Sequence, residues 1–270
     1  MDLFTSLCLD NSRELFLFQG ILIQRASIQV MEYKFYIYMI PSKHHQDKFI
    51  ENIQNKLSKT INRILNHSYI TALENKQISR EKLEIFVYEQ YHIISNDRRN
   101  FALMLSKASD NNTAIELLLD CLSAEVNALK NLLLMAEQLG ISSSRNKLYS
   151  YEPLAGCQAY TNYLTRLAVY GTDAEILTAA MLVDLPVWGA NCSKISFALK
   201  KNYDFTSTSC TFLDKFATTP LPEEFINKSN GLITSSLLLL KEKEIYTAAR
   251  LILDYELSFW DTIYEHSIVK

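Results

Sequence analysis

Glycine and proline are scarce in this chain, 6 and 5 residues in 270, against the roughly 12% that the two together make up in average proteins. All-β folds consume turn residues fastest, so the shortage points to helices. Cysteine is present but unorganised. Cys8, Cys121, Cys157, Cys192 and Cys210 are an odd number with no C-x-x-C pair, which encodes neither a disulfide framework nor a zinc knuckle. A reducing, cytoplasmic setting is the expected one. An excess of one charge is missing too. With 27 Lys plus Arg against 30 Asp plus Glu, the formal charge is -3, which leaves no basic field to neutralise phosphates, so nucleic acid is not an expected partner. The one segment resembling a targeting signal, LFLFQGILIQ at 15–24, is interrupted by Gln19 and Gln24 and followed by no small-residue cleavage site. It falls short of the roughly 20 residues that cross a bilayer, so no membrane partner is expected either.

What is there suffices for a core: 48% of residues are hydrophobic and 11% aromatic. From His45 to Leu65 the apolar residues Phe49, Ile53, Leu57, Ile61, Ile64 and Leu65 recur at steps of three and four, one stripe of a helix. A connection at 67–79 leads to a second helix over Arg80–Lys107. Thr113 and Glu116 read as a capping box opening a third, to about Gly140. A polar stretch at 142–153 precedes a fourth, Gly156–Tyr170. Thr172 and Glu175 cap a fifth that reaches about Lys200 with Pro186 inside it, so a kink is expected near 182–186, where the Leu182 carbonyl loses its donor. A polar loop with Cys210 and a short apolar turn follow. Pro222 opens a helix through Leu240, and the last runs from Glu242 to about Glu265. The expected architecture is all-α, with 45–270 a single helical domain. Residues 1–44 are read either as a docking segment or as an extension, disordered or added by an upstream start codon.

The apolar seams are violated at a few positions. On the third helix Leu118, Leu122, Leu129 and Leu132 enclose Glu125. On the fifth, Leu177, Met181, Trp188 and Ile195 enclose Asp184 and Asn191. On the last, Ile252, Phe259, Trp260 and Ile263 enclose Glu256, and on the second Leu83, Phe86, Ile93 and Ile94 enclose Gln90. Burying a carboxylate costs several kcal/mol unless it is paired, and raises its pKa toward the range useful for acid and base work. Any one of these residues has a plainer explanation as the structural partner of a Tyr, Lys or Arg. Four helices each turning a polar side chain inward suggest instead a polar pocket within a bundle.

Other chemistry finds little support. The six glycines form no phosphate-cradling loop. Glu89 and His92 have the Glu-x-x-His spacing of di-iron bundles, but such sites use the motif twice and it occurs once, so no metal is expected.

The segments HSYITALENKQISREKLEIFVYEQYHI (67–93), AYTNYL (159–164), AEILTAAML (174–182) and ELSFWDTIY (256–264) resemble, in order and spacing, the TenA/thiaminase II family. The terminal E-x-x-F-W-x-x-x-Y is the most specific piece. The resemblance, over about 46–266, implies a haem-oxygenase-like bundle of seven or eight helices around a central pocket. It also implies a homotetramer, no cofactor, and hydrolysis of aminopyrimidine compounds derived from thiamin. Carried over residue by residue, Tyr160 is the family's pocket tyrosine, Glu256 its catalytic acid/base and Phe259 the aromatic that packs on the pyrimidine. Counting along A-E-I-L-x-A-x-x-x puts Val183 where the family has its cysteine nucleophile, with Asp184 next. Gln90 replaces the acidic residue that grips the ring, Ile93 a tyrosine, and FATTP (216–220) a W-x-x-x-Y motif. Valine has no lone pair to attack with.

Two routes remain open: water activated by Asp184 with Glu256, as in family members thought to lack the cysteine, or a thiol elsewhere, Cys157 or Cys192. Catalytic roles are therefore expected at Glu256 and Asp184, and substrate contacts at Tyr160, Phe259, Gln90, Glu125 and Val183. The ligand is expected to be a small aromatic amine or aminopyrimidine. A non-catalytic binding or regulatory homologue is the alternative, and a redox enzyme of the PQQ-synthesis or di-iron branches a third.

Overall fold

In a computed structural model that describes residues 43–108, 112–141, 145–217, 223–238 and 241–267, the apolar stripe of the first segment is helix α1, Lys43–Leu65, with Phe49, Ile53, Leu57 and Ile64 buried. The 67–79 connection is more ordered than its polarity suggests. It holds a short helix, α2 (Ser68–Glu74), whose Tyr69, Ile70, Ala72 and Leu73 are buried, and His67 caps it by accepting the Tyr69 amide on Nδ1. Then follow α3 (Arg80–Lys107), α4 (Asn112–Leu139), α5 (Arg145–Ser150) and α6 (Ala155–Tyr170). Thr113 lies inside the first turn of α4 and Glu116 pairs with Lys228 Nζ at 2.6 Å, so that helix starts two residues earlier than the capping-box reading, which makes Ala114 its first residue. Ser142–144 and the reading of residues 1–42 fall outside the described residues.

The fifth long segment, α7 (Asp173–Asn202), has three parts. A capped α-turn, with the Thr172–Glu175 box in place, gives way to a π-helix over Leu177–Asp184, and α-geometry resumes at Leu185 with Pro186 in its first turn. The proline's conflict with the preceding turn is thus resolved by widening the helix rather than by breaking it. The Leu182 carbonyl, deprived of a helical donor, receives Gln54 Nε2 from α1 at 3.5 Å. α7 is long and apolar enough to cross a bilayer, yet 67% of its most apolar window is buried inside the fold, so that apolarity serves the core.

Where the sequence suggests only a loop and an apolar turn, helix α8 (Thr211–Ala217) buries Phe212 and Leu213. α9 (Glu223–Leu238) and α10 (Glu242–Ser267) complete an all-α bundle with no strand among the described residues. α10 packs against α6, α1, α3 and the π segment, which makes it the central column. Its Trp260 is fully buried and contacts Trp188 (ring centroids 5.5 Å), Phe259 (5.0 Å) and Tyr69 (5.7 Å). Two of its members, Trp188 and Phe259, line the cavity described next.

Candidate functional site

Two close approaches between helices set the geometry. A Cβ on Gly156 would meet Thr262 Oγ1 at 2.0 Å, so only glycine lets the start of α6 lie against α10, which brings Tyr160, one turn on, toward Glu256. A Cβ on Gly189 would lie 2.7 Å from the Phe216 carbonyl oxygen, so glycine there seats α8 on α7.

Between α3, α4, α6, α7, α8 and α10 is a cavity of about 120 Å³, roughly ten times what a single water needs. Gln90, Glu125, Tyr160, Asp184, Glu256 and Phe259 all line it, so the sequence-derived set converges. Val183 does not. It is buried in the π segment, and Asp184 takes the place beside Tyr160. The π turn over Leu177–Asp184 bonds i to i+5 and holds one more residue than an α turn, which ungapped counting along the family motif takes no account of. Asn191, the other polar residue in that seam, also lies outside the cavity, donating instead to the Ile64 carbonyl at the end of α1.

A chain of polar contacts crosses the cavity wall. Tyr160 Oη donates to Asp184 Oδ2 at 3.0 Å, the Asp184 and Glu256 carboxyls hydrogen-bond each other, and Trp260 Nε1 donates to Glu256 Oε1 at 3.0 Å. Asp184 and Glu256 are only 4% and 3% exposed, and Asp184 Oδ1 and Glu256 Oε2 receive no donor from the protein. Burial and the Asp184 charge hold Glu256 well above the usual carboxylate range, whereas burial lifts Asp184 to about 6, opposed by hydrogen bonds from Glu256 and Tyr160. Near neutral pH the pair is therefore one acid and one base.

The sequence reading missed Asp97. It lines the cavity from α3, 5% exposed, with Thr161 Oγ1 and Asn100 Nδ2 donating to its Oδ1. Burial raises it to about 7 against those bonds. The clue was available: Asp97 follows Gln90 by seven residues, two turns along the same face. Glu125, half-buried across from it on α4, is raised by burial and by Asp97, with Arg98 pulling the other way.

The candidate thiols do not serve. Cys157 and Cys192 are fully buried away from the cavity. Burial pushes both thiols up, Glu89 adding to it for Cys157 and Glu256 for Cys192, so a dipole-lowered thiol is not what α6 provides. Cys121, which sequence reasoning passed over, lines the cavity and is likewise pushed up by burial and by Glu125. Nor is Glu89–His92 half of a metal site. Glu89 accepts Tyr151 Oη at 2.7 Å, Leu154 N at 2.8 Å and Gln158 Nε2 at 2.6 Å, and His92 Nε2 donates to the Leu148 carbonyl at 3.1 Å. Among the described residues no three His, Cys, Asp or Glu side chains are placed to hold a metal ion.

Outside the cavity an open groove of about 810 Å³ shares Cys121, Ala124, Met181, Leu185, Phe212 and Phe216 with it. These residues form an apolar neck, and the groove beyond is polar, with Asp120, Asn127, Asn131, Lys215 and Lys228.

The profile of the TENA/THI-4/PQQC family matches residues 54–266. Among solved structures the chain is similar to a TenA homologue from Pyrococcus furiosus, at 20% identity over 80% of this chain and 100% of that one, with a TM-score of 0.61. It is similar also to a protein described as a TenA-like thiaminase from Sulfolobus solfataricus (18% identity, 82% and 98% covered, TM-score 0.53). A third is a domain of unknown function with a heme oxygenase-like fold from Shewanella denitrificans (16% identity, 80% and 91% covered, TM-score 0.57). No curated protein matches the sequence.

Proposed function

Because the chain belongs to the TENA/THI-4/PQQC family, we propose that its cavity binds a small aromatic amine or aminopyrimidine and hydrolyses it without a cysteine nucleophile, in thiamin-related salvage. The observation that carries this reading is the hydrogen-bonded run Tyr160–Asp184–Glu256–Trp260 beside a largely apolar cavity. Asp184, ionised above about pH 6, takes a proton from water as the water oxygen bonds to the ring carbon bearing the amine. The carbon–nitrogen bond breaks, and Glu256 delivers its proton to the departing nitrogen. Tyr160 holds Asp184 in place, and Phe259 and Trp188, 6.2 Å apart, offer apolar faces to the ring. Gln90 supplies an amide where a carboxylate would make a charge-assisted bond, which shifts preference away from the family's usual pyrimidine.

The test is a panel of aminopyrimidines and anilines scored first by thermal shift and then by amine release. Stabilisation with amine release supports the reading. Stabilisation without release leaves the binding or regulatory homologue, and no stabilisation by any compound overturns the ligand class. The same reading includes a reducing compartment, supported by buried free thiols at Cys121, Cys157, Cys192 and Cys210, and self-association, supported by exposed Leu103, Leu119 and Val126 on α3 and α4. Light scattering that returned a 31.1 kDa particle at micromolar concentration would count against the oligomer.

A further inference from the structure

The cavity holds more acid than the proposed hydrolysis uses. Glu256 and Asp184 occupy one wall, and Asp97 and Glu125 reach the same space from α3 and α4, while no Lys, Arg or His lines it among the described residues. Arg98 acts on Glu125 from outside the lining. The protein alone does not provide for the first pair. Asp184 Oδ1 and Glu256 Oε2 are buried without a donor, and the donors to Asp97, Thr161 Oγ1 and Asn100 Nδ2, both go to Oδ1. Between the two pairs the walls are apolar and aromatic, with Ile94, Phe101, Leu164 and Phe259. A buried acceptor without a donor is costly unless a ligand brings one, and an ammonium group brings three N–H donors together with the missing positive charge.

The geometry points to Asp97 and Glu125 as a second amine-recognition subsite, so that the ligand is an apolar ring or short chain carrying a protonated nitrogen at each end. This rests on the reading that the Asp184–Glu256 wall takes the first amine, and it names what the far end of that ligand must be. It also gives a chemical reason for Gln90: with carboxyls already facing the ligand from both walls, a further anion at position 90 would add repulsion without a further partner.

The experiment is calorimetric titration of the full chain at pH 7.5 with benzylamine and with 1,3- and 1,4-bis(aminomethyl)benzene, which present one or two ammonium groups on the same ring at two spacings. The wild-type protein is expected to bind one of the diamines at least about tenfold tighter than benzylamine, a difference of about 1.4 kcal/mol. Glu125→Gln and Asp97→Asn are each expected to shrink that ratio below about threefold, whereas Glu256→Gln weakens benzylamine itself. Glu125 is half-buried and makes no structural hydrogen bond as close-knit as that of Asp97, so its variant keeps the test decisive even where Asp97→Asn unfolds. Equal binding of benzylamine and both diamines, or a preference that survives Glu125→Gln, overturns the second subsite alone. Absence of binding by all three probes overturns it together with the reading on which it rests.

Discussion

Glu89 and Glu256 are both buried glutamates on long helices, 0% and 3% exposed, yet they are opposite kinds of residue. Glu89 is saturated: three donors converge on its two oxygens, one of them the amide of Leu154 at the start of α6, where helix dipoles favour negative charge. Glu256 has one protein donor, a second carboxyl beside it and an oxygen with no partner. Burial alone therefore does not mark a functional acid. The deficit of donors does, because a saturated carboxylate is fixed by its partners, while an undersupplied one holds a proton it can give away.

The sharpest way to break that contrast is to replace each acid by its amide. Glu256→Gln is expected to lower amine release by about 10²–10⁴-fold, the usual contribution of a positioned proton donor, while leaving the melting temperature unchanged or raised, since it removes a buried titrating group. A variant as active as wild type would sink the assignment. Glu89→Gln is expected to do the reverse. It sets an amide N–H₂ against the donors of Tyr151, Leu154 and Gln158, so urea unfolding should report a loss of about 3 kcal/mol. Activity per folded molecule should fall far less than in Glu256→Gln.

The same deficit fixes the pH dependence of stability. Asp184 and Asp97 rise from 3.8 to about 6 and about 7, and Glu256 and Glu125 also rise. Between about pH 4 and pH 7 the folded protein thus holds protons that the unfolded chain has released, and stability must fall as pH rises through that window. Each tenfold change in proton affinity is worth about 1.4 kcal/mol, so unfolding free energy should drop on the order of 4 kcal/mol from pH 5 to pH 7.5, about two thirds of it from Asp97 and the rest from Asp184. Melts in Glu256→Gln should show a shallower slope. A wild-type profile that rises toward neutral pH would mean that these carboxyls are satisfied after all.

How far the sequence could be read follows the same physics. Periodicity located the long helices because each buries one stripe, and it found Glu125, Asp184 and Glu256 because a carboxylate interrupting such a stripe is conspicuous. It passed over α2, α5 and α8, whose six or seven residues span less than two turns and give no stripe to recognise. It noted the Glu-x-x-His spacing of Glu89 and His92 but not what holds Glu89, because spacing along one helix carries no trace of Tyr151 or Gln158, which arrive from 62 and 69 residues away. Asp97 escaped for a related reason. Near the polar run Ser95–Asn100 it reads as a solvated face, and only the packing of α6 across it, with Thr161 as its partner, turns that face inward.

The smallest expected effect tests the π segment. Ungapped counting along the family motif makes Val183 the heir of the nucleophile's position, whereas the structure turns Val183 into the core, 1% exposed, and presents Asp184 to the cavity. If Asp184 is the functional residue, Val183→Ala removes two methyl groups from packed surroundings and nothing from the chemistry. Stability should fall by about 1–2 kcal/mol, with kcat and KM for any hit compound within about twofold of wild type. Asp184→Asn is the matched change one residue on: it keeps the volume, leaves Tyr160 an acceptor, and removes the base. Activity lost in Asp184→Asn and kept in Val183→Ala confirms that the helix is in register with its π turn counted. The opposite pattern would place Val183 on the ligand and overturn the assignment of Asp184.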